Sequence, residues 1–194
     1  DGGATVVPDG AYRALGDDRS LPSVSVYLRA DFPVANERVF LGAGLGYRRA
    51  GSDGAPLDGA LNTDTTFDEP WALFRASFRV LEGLDPYVEV GAGPTIATVE
   101  VASSLSGTQR SVIPRIDGMA GLALYLPRNW LPKRGGSRVT GGLDLGAGYT
   151  YRGAIEVQPG LDLDEDPIDT DAASLGEFMP HGFVWRIGAF VRIM

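Results

Sequence analysis

The chain contains no cysteine, which excludes disulfide frameworks, thiolate metal sites and cysteine nucleophiles together. Lysine is nearly absent as well: of 17 basic residues, only Lys133 is not an arginine. There is a single histidine, His181. No excess of positive charge exists to attract a nucleic acid, since the net charge is −8. No apolar run approaches the roughly 18 residues that a spanning helix requires. No leader-like segment opens the chain, because Asp1 begins a polar stretch, so an exported protein is expected to be represented here in its mature form or a trimmed one. Helical periodicity is missing too. In their place stand 27 glycines among 194 residues, well above the usual frequency of about 7%, and a period-two alternation that recurs along most of the chain.

The alternation defines seven strands within one domain. Val24, Val26, Leu28, Ala30 and Phe32 alternate with Ser25, Tyr27, Arg29 and Asp31. The same pattern returns over 39–48, 72–80, 87–96, 115–124, 139–152 and 183–193. Most of these segments reach ten residues. Strands of soluble proteins are commonest at about 5–6 residues, whereas barrel strands that cross a bilayer need about 9–11. The connections alternate in length. Segments 33–38 and 81–86 predict tight turns and 126–137 a modest one, while 50–70, 102–110 and 153–181 predict longer polar loops. Such an alternation is expected when one barrel end faces the periplasm and the other the exterior. An eighth strand is needed to start this path, and 4–15 is the segment available, although Pro8 and Gly10 interrupt it. With it, both termini are expected at the short-turn end.

The two faces of these strands differ chemically. One is nearly free of charge. The other holds glycine interspersed with Arg29, Asp31, Arg48, Arg75, Arg79, Glu89, Arg115, Asp117, Asp144, Arg152, Arg186 and Arg192. In a narrow lumen, glycine leaves room for an arginine reaching across. Asp31, Glu89, Asp117 and Asp144 are the expected partners, since an unpaired buried charge costs several kcal/mol. The charge-free face suits lipid, where Arg or Lys at the midplane costs roughly 2–4 kcal/mol. Phe32, Tyr47, Trp71, Tyr151, Phe183 and Trp185 lie near strand ends, where aromatic girdles form.

The runs Gly42–Arg48, Val88–Pro94 and Gly141–Tyr149, with the strand that closes the chain, resemble the small outer-membrane β-barrel family of the OmpA/OmpX type. The likeness is one of pattern over nearly the whole chain. It implies an all-β, eight-stranded, antiparallel up-and-down transmembrane barrel with a plugged interior. Members of that family end in an aromatic residue; this chain ends in Met194, with Phe190 nearby.

Other motifs point less far. His181 has no serine at the His-x-Ser spacing of lipid-modifying rim enzymes, because position 183 is Phe; Ser174 and Glu177 are the nearest partners for such a site. Asp162, Asp164 and Asp166 match the first carboxylates of a calcium loop, yet Pro167 replaces the turn glycine and Ala173 the bidentate glutamate. The segment is expected to be a solvated acidic loop, with weak calcium binding or docking of a basic partner as the alternative. Gly42, Gly44 and Gly46 are followed by no helix, which removes a dinucleotide reading. Arg128, Lys133, Arg134, Arg138 and Trp130 are expected to form a solvated turn.

The expectation is therefore a bacterial outer-membrane protein without catalytic activity, cofactor or metal. Its expected surroundings are a bilayer and lipopolysaccharide, with loops 50–70 and 153–181 free to meet another envelope protein. A narrow solute pore, a soluble ligand-holding barrel and, more distantly, a rim enzyme are the alternatives.

Overall fold

In a computed structural model of the chain, residues 2–6, 20–34, 38–54, 62–81, 83–102, 107–126, 139–157 and 176–193 are described. They form ten strands: β1 (Gly2–Val6), β2 (Ser20–Val34), β3 (Val39–Gly54), β4 (Asn62–Phe78), β5 (Leu84–Ala102), β6 (Gly107–Tyr125), β7 (Val139–Arg152), β8 (Ile155–Val157), β9 (Gly176–Phe178) and β10 (Gly182–Ile193). Eight of them close into an antiparallel barrel in the order β1-β10-β7-β6-β5-β4-β3-β2; β8 and β9 pair separately. Sequence neighbours are barrel neighbours except where β10 meets β1 and β7, so the topology is up-and-down with closure by the first and last barrel strands.

All seven expected strands are present, and several run further than expected. Ala50–Gly54 continues β3 and Asn62–Pro70 opens β4, so most of the expected loop 50–70 is paired strand. The expected loop 102–110 shrinks likewise, because β6 begins at Gly107. Within 153–181, Ile155–Val157 and Gly176–Phe178 form a small ribbon. Of the expected first strand 4–15, Ala4–Val6 lies in β1, which begins at Gly2, and 7–15 are outside the described residues. At the short-turn end, the link between β4 and β5 tightens at Gly83, whose φ of +103° suits glycine alone, and Leu84 N–H donates to the Leu81 carbonyl at 3.2 Å.

Three prolines mark one level of the wall. Pro70 lies opposite Tyr47 and Pro94 opposite Pro114. Between β4 and β5 the ladder stops at Asp68–Ile96 and resumes at Ala72–Ala92, because neither Pro70 nor Pro94 can donate. On the short-turn side of this level, Phe74, Val88, Val90, Leu122, Leu143, Leu145 and Ile187 point outward and are exposed. Arg75, Glu89, Arg115, Asp117, Asp144 and Arg186 point inward and are buried. The barrel is thus charged within and apolar without over most of its height. Beyond the prolines the inward residues become Leu21, Ala50, Phe67, Ala97, Val99 and Ile113, on which Ile155 and Phe178 of the β8–β9 ribbon close.

Candidate functional site

The interior is built of stacked side-chain layers, each held by odd-numbered or even-numbered positions of successive strands. Nearest the short turns, Arg29 Nε donates to Asp31 Oδ1 at 2.7 Å along β2. Arg79 reaches Asp85 at 3.4 Å and lies over the Phe40 ring at 4.7 Å. Tyr125 and Phe190 meet edge to face at 5.1 Å.

The middle layer is a four-charge lattice. Arg75 donates to Glu89 at 2.7 Å and to Asp144 at 2.6 Å, so one guanidinium from β4 bridges β5 and β7 across the lumen. Arg186 of β10 donates to the other Glu89 oxygen at 2.9 Å. The Tyr87 hydroxyl donates to Asp144 at 2.5 Å, and its ring lies 3.7 Å beneath the Arg75 guanidinium. Two arginines balance two carboxylates.

The layer above is centred on Glu69. Its carboxylate accepts from Arg48 at 2.5 Å, from Arg152 at 2.6 Å and from Thr95 at 2.9 Å, with Arg115 at 3.3 Å. Asp117 accepts from Arg115 and, at 2.7 Å, from Thr150, with Arg48 at 3.6 Å. Arg152 also donates to the Pro180 carbonyl at 2.7 Å, which ties the segment before β10 to the hub. Three arginines here face two carboxylates. Taking charges of this kind out of water costs several kcal/mol each unless partners replace the lost hydration, and the dense ion pairing supplies those partners. Trp71 fills the space between the two charged layers, 5.0 Å from Arg115 and 6.5 Å from Tyr27.

All eight residues expected in the lumen network (Arg29, Asp31, Arg75, Glu89, Arg115, Asp117, Asp144 and Arg186) lie on the inner face, and each takes part in an ion pair. Arg48, Arg79 and Arg152 join them; the side chain of Arg192 is outside the described residues. Glu69, the hub, was hidden inside the expected loop 50–70. Stepping by two from Arg75 through Leu73 and Trp71 would have reached it. The same step corrects Trp71, which is not a girdle residue but a buried lumen residue. Phe32, Tyr47, Tyr151, Phe183 and Trp185 do lie on the outer face. The lumen glycines make room mainly for aromatics rather than for arginines from across. A Cβ at Gly46 or Gly91 would meet Trp71 at 2.1 and 2.6 Å, and one at Gly121 or Gly146 would meet Tyr87 at 2.4 and 2.7 Å; a Cβ at Gly42 would meet Asp31 at 2.2 and Arg29 at 2.8 Å.

Outside the lumen, His181 Nδ1 meets the Tyr149 hydroxyl, and its ring stacks on Tyr151 at 6.3 Å. Glu177 is exposed; Ser174 and the acidic positions Asp162, Asp164 and Asp166 are outside the described residues, as is the basic cluster around Trp130. A cavity of about 10 Å³ lined by Ser23, Ser25, Arg48, Trp71, Asp117 and Arg186 has room for no more than about one water. No family model, curated protein or solved structure matches this chain. Its reading rests on its own geometry.

Proposed function

We propose that the protein is an integral membrane barrel of a bacterial outer membrane, with a structural or interaction role rather than a catalytic or conducting one. The observation that carries this reading is the uncharged outer band. Among the described residues, no charged side chain points outward between the short turns and the proline level: β4 offers Phe78, Ala76, Phe74, Ala72 and Pro70, and β5 offers Pro86, Val88, Val90, Ala92 and Pro94. Each run spans nine residues, and a tilted strand of about 9–11 residues crosses a hydrocarbon core. Charge returns immediately above, at Arg49, Asp53, Asp64, Asp68, Glu100 and Arg110. Only helices and closed barrels satisfy their backbone within lipid, and no described helix is long and apolar enough to cross. Tyr47, Tyr149, Tyr151 and Phe183, gathered near the upper edge of the band, suit the headgroup region.

The packed lumen argues against a solute path, since an eight-stranded wall is just wide enough for side chains to fill. The surfaces left for recognition by lipopolysaccharide and neighbouring envelope proteins are the charged upper strand ends and the β8–β9 ribbon. The family resemblance of the sequence fits this reading.

Val90→Arg tests it. In a bilayer this substitution is expected to lower folding stability by about 2–4 kcal/mol, while Thr98→Arg, outward but above the band, is expected to stay within about 0.5 kcal/mol. Denaturant titration of both variants refolded into lipid vesicles measures the difference. A protein that folds in aqueous buffer without detergent and tolerates both substitutions equally is a soluble barrel, and the membrane reading is then wrong.

A further inference from the structure

The buried charges of the lumen do not cancel, and the excess lies in one layer. Arg75 and Arg186 balance Glu89 and Asp144, while Arg29–Asp31 and Arg79–Asp85 pair one to one. The layer above holds Arg48, Arg115 and Arg152 against Glu69 and Asp117, and the side chains of its three arginines are 8%, 0% and 0% exposed. Among the described residues, one positive charge is left over, out of reach of bulk water. A buried charge in that position is strongly disfavoured unless a counter-charge joins it.

The looser end of this layer borders a cavity. Ser23, Ser25, Arg48, Trp71, Asp117 and Arg186 line it. Among the described residues, neither Arg48 Nη2 nor Trp71 Nε1 has a hydrogen-bond acceptor, although both side chains are more than nine-tenths buried. Arg48 Nη2 stands 3.6 Å from Asp117 Oδ1, close enough for charge attraction but beyond hydrogen-bond reach. The Asp117 carboxylate is already engaged. Its Oδ1 accepts from Arg115 at 3.0 Å and from Thr150 at 2.7 Å, and its Oδ2 accepts from Arg115. Two buried donors without acceptors and one surplus positive charge thus meet at the same small space.

We infer that this cavity binds a halide ion, chloride in ordinary salt, as the counter-charge of the Glu69–Asp117 layer. A halide accepts from Arg48 and Trp71 together and cancels the excess. A water supplies the acceptor but not the charge. The space has room for about one water, which is of the order of a single monatomic ion and shuts out sulfate, phosphate and carboxylates. A guanidinium N–H is the stronger kind of donor toward an anion, because its charge assists the bond. The inference goes beyond the membrane reading and does not rest on it, since the excess lies inside the barrel whatever surrounds the wall.

Urea titration of the protein refolded in lipid vesicles, and again in detergent, tests the assignment by exchanging sodium gluconate for sodium chloride at constant ionic strength. Raising chloride from about 1 mM to about 100 mM is expected to raise the folding equilibrium constant at least about tenfold. Arg48→Met removes both the donor and the excess charge, and its stability is expected not to respond to chloride; the same variant subtracts any general salt effect on the fold. Trp71→Phe deletes the indole N–H while keeping an aromatic ring, and is expected to need about tenfold more chloride for the same gain. It carries the test if Arg48→Met does not fold. In crystals grown with bromide, an anomalous peak is expected within hydrogen-bond reach of Arg48 Nη2 and Trp71 Nε1. Equal stability of the unsubstituted protein in chloride and gluconate overturns the inference and leaves the cavity to water. A chloride gain that survives both substitutions unchanged, or a bromide peak only at other positions, overturns it as well, because the ion then binds elsewhere. Val90→Arg tests the membrane reading independently, so either can fail alone.

Discussion

The two storeys of this barrel are built from the same strands and have opposite polarity. Below the prolines, β4 turns Arg75, Leu73 and Trp71 inward and Phe78, Phe74 and Ala72 outward, with Glu69 inward at the boundary. Above them, it turns Phe67, Thr65 and Thr63 inward and Asp68, Thr66 and Asp64 outward. The alternation is unbroken across Pro70, so the backbone does not change which residues face the axis. Only the chemistry assigned to each face reverses. The upper storey follows the ordinary rule for a barrel in water, with Leu21, Phe67, Val99 and Ile113 in its core and charges on its skin. The lower storey obeys the rule for a barrel whose surroundings are apolar. One continuous sheet thus carries both patterns, and on the proposed membrane reading the boundary between them is the level at which the surroundings change.

The largest way to break this comparison is at the boundary itself. Glu69 holds Arg48, Arg115 and Arg152. Glu69→Ala leaves Arg48 and Arg115 to share Asp117 and takes from Arg152 its carboxylate partner, and is expected to cost about 3–5 kcal/mol, the usual penalty for stranding a buried charge. Urea titration of the vesicle-refolded protein reads the loss; a change below about 1 kcal/mol would mean that water reaches the hub. Phe67→Ala, one inward step above, removes an aromatic from the apolar cap beneath Ile155 and Phe178 and is expected to cost about 3 kcal/mol. Because that cap is an aqueous-type core, the loss should be similar in detergent and in lipid, whereas the Val90→Arg penalty should depend on the apolar medium. Equal medium dependence for the two would erase the distinction between storeys.

The sequence made the lower storey legible because its two faces contrast sharply: glycine and charge against Val, Leu, Ala and Phe. The upper storey hid for the opposite reason. Asn62–Asp68 offers threonine inward and aspartate or threonine outward, and Thr95–Glu100 offers mixed residues on both faces, so period two carries little contrast there. Trp71 was legible by parity with Arg75, yet its hydrophobicity drew it toward the outer face. Which carboxylate meets which arginine was not legible at all. Arg75 and Asp144 are 69 positions apart and meet only because the sheet closes. The height of β1 relative to its neighbours is likewise a matter of register, which no local pattern encodes.

The smallest expected effect sharpens a contrast within the lower storey, between its charge pair nearest the short turns and the pair at its centre. Arg29 and Asp31 are two residues apart on one strand, near the short turns, and partly wet; Arg75 and Asp144 span the lumen and are dry. Double-mutant cycles on the two pairs should therefore separate. The Arg29–Asp31 coupling is expected below about 1 kcal/mol, because solvent screens the pair and rehydrates whichever partner remains. For Arg75–Asp144 the coupling is expected toward the upper part of the 0.5–3 kcal/mol range typical of directly interacting residues, since neither partner can recover its hydration. If the two couplings are equal, the Arg29–Asp31 pair is as dry as Arg75–Asp144, and their difference in exposure has no energetic consequence.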